Sequence, residues 1–209
     1  MNKVVLLGGA PTNGKSYIAR KLGEGLKLPW ISTDTIREAM REIVRPEDYP
    51  RLFKFAGETI TAEDYLSSHT PQEIVYSQNE ENEVVWKGVK AFIETDYVWK
   101  TFIVEGVAVL PHLVAGLDTS KVEILPIFLV DDDRERVKDV VYTRGLWDDA
   151  NTYSDDVKPV EVEWAMLFSK YIKDECEKHG YKPFEIGDRD KFLRSLTKRV
   201  QEWIANAGE

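Results

Sequence analysis

The chain has 209 residues, 43% of them hydrophobic and 31% charged, with 28 Lys and Arg against 37 Asp and Glu. That length suits a single domain with a substantial core, and the net charge of −9 disfavours nucleic acid as a partner while leaving room for a small anion in a locally positive cleft. One cysteine (Cys176) and three unclustered histidines (His69, His112, His179) exclude an intrachain disulfide and a multi-cysteine zinc site, and no apolar run approaches a membrane span.

Short apolar runs alternate with longer amphipathic stretches, the pattern of an α/β fold with a parallel sheet. The first expected strand is Lys3–Leu7, and its apolar stretch, Val4 to Leu7, is too short to be the apolar core of a signal peptide. A reduced, cytoplasmic protein with no membrane partner is therefore expected. After that strand stands Gly8-Gly9-Ala10-Pro11-Thr12-Asn13-Gly14-Lys15-Ser16, which from Gly9 fits G-x-x-x-x-G-K-[ST] between a strand and a helix.

The chemistry explains that spacing. Successive backbone N–H groups wrap a β-phosphate, the glycines permit close approach, and the helix start adds its positive dipole end. Lys15 is expected on the β- and γ-phosphates and the Ser16 hydroxyl on Mg²⁺. Gly9, Thr12, Asn13, Gly14 and Tyr17 complete the expected ATP-binding set. A switch GTPase is excluded for want of a base-reading N-K-x-D segment, since Asn2-Lys3 stands in the wrong place.

A helix over Lys15–Leu26 and a strand over Trp30–Ser32 follow, then Ser32-Thr33-Asp34-Thr35-Ile36-Arg37. Asp34 falls at the carboxyl end of the strand, where α/β sheets build their sites, with Arg37 on the same helical face. The pair reads as a proton acceptor and an anion clamp, both catalytic, or as a helix cap and a surface charge. The helix is expected over Thr35–Val44. Residues 46–100 form a helical insertion on the acceptor side, holding a helix over Pro71–Asp96 that Thr70 caps and Pro71 opens.

The third strand, Thr101–Val104, delivers Glu105-Gly106-Val107, with Glu105 a candidate for metal-bound water or substrate. The fourth, Glu123–Val130, runs into Asp131 and a helix over Arg134–Thr143. Residues 132–158 read as a lid, with Arg144 expected to be catalytic, Arg134 and Arg136 expected on the nucleotide, and Trp147–Asp156 expected to be mobile. A helix over Val160–His179, a strand over Pro183–Ile186 and a helix over Asp190–Asn206 close the chain. Of six tryptophans, Trp30, just before Asp34, is the one singled out for stacking on an acceptor, against the alternative of core packing.

Together, Gly9-x4-Gly14-Lys15-Ser16, Ile31-Ser32-Thr33-Asp34-Thr35-Ile36-Arg37-Glu38, Gln78 within a long helix, Val104-Glu105-Gly106-Val107 and Arg134-Glu135-Arg136 resemble the 2-phosphoglycerate kinases and their P-loop kinase relatives. The resemblance covers roughly residues 3–190. It implies a three-layer P-loop NTPase fold with a five-stranded parallel sheet, a substrate-covering helical insertion and a lid. It also implies transfer of the γ-phosphoryl group of ATP, with Mg²⁺, to a hydroxyl of a small, anionic metabolite, in the family a phosphorylated acid. Lys15 and Ser16 would then serve ATP and Mg²⁺, Asp34 and Arg37 would face the acceptor, and Glu105 would border the same pocket. Where the family carries histidine after Glu-Gly-Val this chain has Ala108, and where it carries Pro-Gly this chain has Pro111-His112. The same Asp-x-x-Arg spacing resembles polynucleotide 5′-hydroxyl kinases and zeta-toxin-type kinases, and an ATP-binding regulator that transfers nothing is the reading from another class.

Overall fold

The computed structural model describes residues 2–54, 61–95, 99–146 and 149–206; Trp147 and short stretches of the expected insertion and lid lie outside them. Five strands, β1 (Asn2–Gly9), β2 (Trp30–Ser32), β3 (Thr101–Glu105), β4 (Val122–Val130) and β5 (Phe184–Glu185), form one all-parallel sheet in the order β2-β3-β1-β4-β5. The central strand β1 is buried along its length, and its side chains alternate between two cores. Val4 and Leu6 pack with Phe102, Phe128 and Phe168 on one face; Val5 and Leu7 pack with Ile18, Leu22 and Leu196 on the other. Burying each such side chain contributes about 1.5–3 kcal/mol, which is why a strand covered on both faces reads as an unbroken apolar run.

The helices are α1 (Lys15–Leu26), α2 (Thr33–Arg41), α3 (Ala62–Ser68), α4 (Pro71–Glu94), α5 (Pro111–Ala115), α6 (Arg134–Arg144), α7 (Lys158–Lys178) and α8 (Arg189–Ala205). Among the described residues none is long and apolar enough to cross a membrane. The capping expected at Thr70 is present in full: its hydroxyl accepts from the Glu73 N–H at 3.3 Å, and the Glu73 carboxylate accepts from the Thr70 N–H at 2.8 Å.

Three local expectations need correction. Helix α2 begins at Thr33, two residues early, because the Ser32 hydroxyl accepts from the Asp34 N–H at 3.2 Å and caps it. Helices α3 and α5 were not expected; each is a short element, opened by a Thr61 cap and by Pro111 respectively. Residues 149–156 are docked rather than loose. Ala150 and Tyr153 are buried, the Tyr153 hydroxyl donates to Glu161 at 2.6 Å, and the Ser154 N–H donates to Glu63 on α3 at 2.8 Å.

Register places the site. Leu7 pairs with Glu105 and Glu105 with Ser32, so β3 and β2 end level, and β1 runs two residues further, to Gly9, beside β4. The loop after β1, the start of α2 and the Glu105 carboxylate therefore meet at one carboxyl edge of the sheet.

Candidate active site

A cavity of about 420 Å³ opens at that edge. Thr12, Gly14, Lys15, Ser16, Tyr17, Asp34, Arg37, Glu105 and Arg144 line it, so most of the residues singled out by sequence converge there. Helix α4 adds Ile74, Gln78 and Glu81, α2 adds Arg41, and α7 adds Trp164.

The phosphate loop has the backbone its motif demands. Thr12 sits at φ 72° and Gly14 at φ 65°, both left-handed, and a β-branched residue in that region is a strained outlier. Such a reversal turns successive N–H groups toward a concave anion site. Lys15 is buried and donates to the Ala10 carbonyl at 2.7 Å, bridging its own loop. Burial lowers its ammonium from 10.5 to about 8, while Glu105 and Asp34 pull it back up and Arg144 pushes it down. Tyr17 is flanked by two guanidinium groups, Arg189 at 5.5 Å and Arg20 at 5.9 Å from its ring.

Two loop residues expected on the nucleotide are directed into the scaffold. The Asn13 amide is buried and donates to the Leu129 carbonyl at 2.8 Å, tying the loop to β4. At Gly9 a Cβ would stand 2.5 Å from the same carbonyl, so glycine is required there for the close approach of β1 to β4.

Asp34 is not spent as a helix cap, since Ser32 has that role, and its carboxylate meets Arg37 at 3.0 Å as the three-residue spacing implies. Glu105 is buried behind Lys15. Burial pushes its carboxyl up; the Lys15 ammonium and the hydroxyls of Ser16 and Ser32 pull it back. Its Oε1 has no hydrogen-bond partner. An orphaned carboxylate oxygen beside the Ser16 hydroxyl suits a hard divalent cation that keeps most of its waters. Among the described residues no group of three or more His, Cys, Asp or Glu is poised to cage a metal.

Arg144 lines the cavity from the end of α6, but Arg134 and Arg136 do not. Arg134 pairs with Glu163 on the surface. Arg136 grips the buried Asp131 with two nitrogens at 2.6 and 2.8 Å; Asp131 stands two residues before the Asp133 cap of α6, and its N–H donates to the Ser169 hydroxyl at 2.7 Å. Ala108 is buried in the core, and His112 pairs with Glu175 at 3.4 Å, so neither lines the cavity. Trp30 is half-exposed and absent from the cavity wall; among the described residues the tryptophan on that wall is Trp164, whose indole N–H donates to Gln78 at 3.0 Å.

Sequence reasoning missed Arg41 and Glu81. Glu81 accepts from Arg41 at 2.5 Å and lies 3.8 Å from Arg37; burial pushes its carboxyl up, and the two guanidinium groups pull it back. The signal was the charged run Asn79 to Glu83 in an otherwise amphipathic helix, which alone does not say which acid turns inward.

The solved structure of a gluconokinase from Sinorhizobium meliloti superposes with a TM-score of 0.57, covering 99% of this chain and 98% of that one at 10% identity. The chain has the P-loop kinase fold. No family model matches it. In sequence it is 28% identical, over 93% of its length, to the 2-phosphoglycerate kinase of Methanothermobacter thermautotrophicus, and 26% identical, over 98%, to that of Methanocaldococcus jannaschii. The resemblance read from the motifs thus extends along the chain, which spans 65% and 66% of the length of those two relatives.

Proposed function

We propose that the chain is an ATP-dependent phosphotransferase that phosphorylates a hydroxyl of a small anionic metabolite. The observation that carries the reading is one cavity holding the Lys15 phosphate loop together with Asp34, Arg37 and Arg144. The relatives named 2-phosphoglycerate kinase support the same class of reaction.

The mechanism is positioning plus charge neutralisation. The loop N–H groups and Lys15 hold the β- and γ-phosphates, and Arg144 neutralises charge on the transferring group. Arg37 orients the acceptor. Its hydroxyl oxygen bonds to the γ-phosphorus as the bond to the bridging oxygen breaks, ADP leaves, and the hydroxyl proton passes to Asp34. Ser16 and, through water, Glu105 would hold Mg²⁺, which when bound spreads the phosphate charge.

Transfer from γ-labelled ATP to a panel of hydroxy acids, sugars, nucleosides and a 5′-hydroxyl oligonucleotide tests this. A labelled small acid is expected; ATP binding with no labelled product contradicts the reading, and labelling of the oligonucleotide alone transfers it to the polynucleotide class.

A further inference from the structure

Two arginines of α2, Arg37 and Arg41, line the acceptor half of the cavity, and they differ in what they have left to offer. Arg41 spends all three guanidinium nitrogens: Nη2 on Glu81 at 2.5 Å, Nη1 on Glu38 at 2.8 Å and Nε on the Leu52 carbonyl at 2.8 Å. Arg37 donates from Nε to the same Glu38 oxygen at 3.0 Å, and its Nη1 meets Asp34 at 3.0 Å and Glu81 at 3.8 Å. Its Nη2 makes no hydrogen bond to a described residue. Arg37, Glu38, Arg41 and Glu81 therefore close a ring of alternating charge. Two guanidinium groups one helical turn apart repel, and the two acids that bridge them hold both in place. The ring is anchored away from the cavity. The Glu81 side chain is only 4% exposed on α4, and Leu52 is buried in a short turn, Pro50–Phe53, which Arg51 ties to Glu80 of α4 at 3.2 Å.

We propose that Arg41 and Glu81 are positioning residues: they touch no acceptor themselves and act by holding the Arg37 guanidinium so that its Nη2 takes the acceptor's anionic group. The inference rests on the phosphotransferase reading and deepens it. A long side chain loses rotamer freedom when it grips a ligand, and in Arg37 that freedom is given up on folding, before any acceptor arrives. Without Arg41 and Glu81 the Arg37 guanidinium keeps its charge but settles wholly on Asp34, three residues away on the same helical face, and so occupies the proton acceptor as well. Its place in the cavity wall would by itself make Arg41 a second contact for the acceptor. Its three committed nitrogens argue for the other role.

A double-mutant cycle tests this, read as binding of 2-phosphoglycerate and of glycerate in the presence of a non-hydrolysable ATP analogue. Arg37→Met is expected to weaken the tighter-binding acid about 10²-fold and Arg41→Met about tenfold, with affinity for the analogue unchanged in both. The double variant is expected to bind within about twofold of Arg37→Met, because Arg41 acts only through Arg37. Glu81→Gln is expected to follow the same pattern, costly alone and silent beside Arg37→Met. Arg41→Lys keeps the charge but offers one ammonium to three anchors, so it is expected to behave as Arg41→Met does, and it takes that variant's place should Arg41→Met fail to fold. A further loss of about tenfold in the double variant would put Arg41 on the acceptor or make it independent of Arg37. Wild-type affinity in Arg41→Met or Arg41→Lys would make the ring dispensable, and an equal loss of analogue affinity would make Arg41 a support for the whole cavity. Each of these results, or a wild type that binds neither acid, overturns the proposal. The expected cycle with no labelled product from any acceptor would sink the transferase reading and leave the positioning role standing.

Discussion

The phosphate-loop half of the cavity comes from one unbroken segment, Gly8 to Tyr17, whereas the acceptor half is assembled from α2, α4, α7 and the end of α6. In the first, the proposed phosphate recognition rests on backbone N–H groups, and the side chains are spent on shaping the loop. Thr12 and Gly14 supply the reversal, Asn13 ties it to β4, and Lys15 bridges to Ala10. In the second, the proposed acceptor recognition rests on side chains from distant segments that pair with one another, as Arg37 and Arg41 do with Glu81. A backbone site tolerates almost any scaffold that preserves its dihedrals, so its motif recurs. A side-chain site changes its preference with a single charge.

The largest expected effect lies in the loop half. Lys15→Ala is expected to lower kcat/KM by about 10³-fold or more while leaving the thermal unfolding midpoint close to that of wild type, since it removes a cation whose burial is unfavourable. Labelled transfer and a thermal melt check it together, and near-normal turnover would remove Lys15 from the mechanism.

A pH series sharpens the same half. Burial lowers Lys15 to about 8, and a bound triphosphate raises it again. The bound form therefore has the higher pKa, so binding is at full strength below about pH 8 and weakens above it by up to about tenfold per unit, with proton uptake. Titration calorimetry in buffers of different ionisation heat measures both; an affinity that stays level to pH 10 contradicts a lowered Lys15.

Smaller changes probe the acceptor half. Trp164→Phe keeps the ring packing and deletes the N–H that holds Gln78, so KM for the acceptor is expected to rise about threefold to tenfold with KM for ATP unmoved. An equal rise in both would mean that Trp164 supports the whole cavity. Arg134→Ala is expected to alter neither parameter by more than about twofold, because its guanidinium pairs with Glu163 at the surface.

The same contrast explains what could be read in advance. The strand order of motifs, the exact span of α1 and the convergence of Lys15, Asp34 and Glu105 follow from local signals: an apolar run, a glycine-lysine loop, a carboxylate after a strand. Arg134 and Arg136 were legible as charges but not as charges already taken, because Glu163 lies on another helix and the buried Asp131 shows no sign of burial in its own sequence. Trp164 and Glu81 escaped for the same reason. Both sit on long helices whose periodicity says that one face is buried, and only packing tells which buried positions border space. The docking of residues 149–156 depends on Glu161, on the next helix, and on Glu63, 91 residues away from Ser154, so an acidic, polar stretch gave the opposite impression.

The central claim is that one cavity couples a nucleotide half to an acceptor half through Asp34. Measuring ATP affinity and labelled transfer side by side in wild type, Lys15→Ala and Asp34→Asn tests it most directly. The account predicts that Lys15→Ala loses both, while Asp34→Asn keeps ATP affinity and loses transfer by about 10²-fold or more. Transfer by Asp34→Asn at the wild-type rate would contradict it.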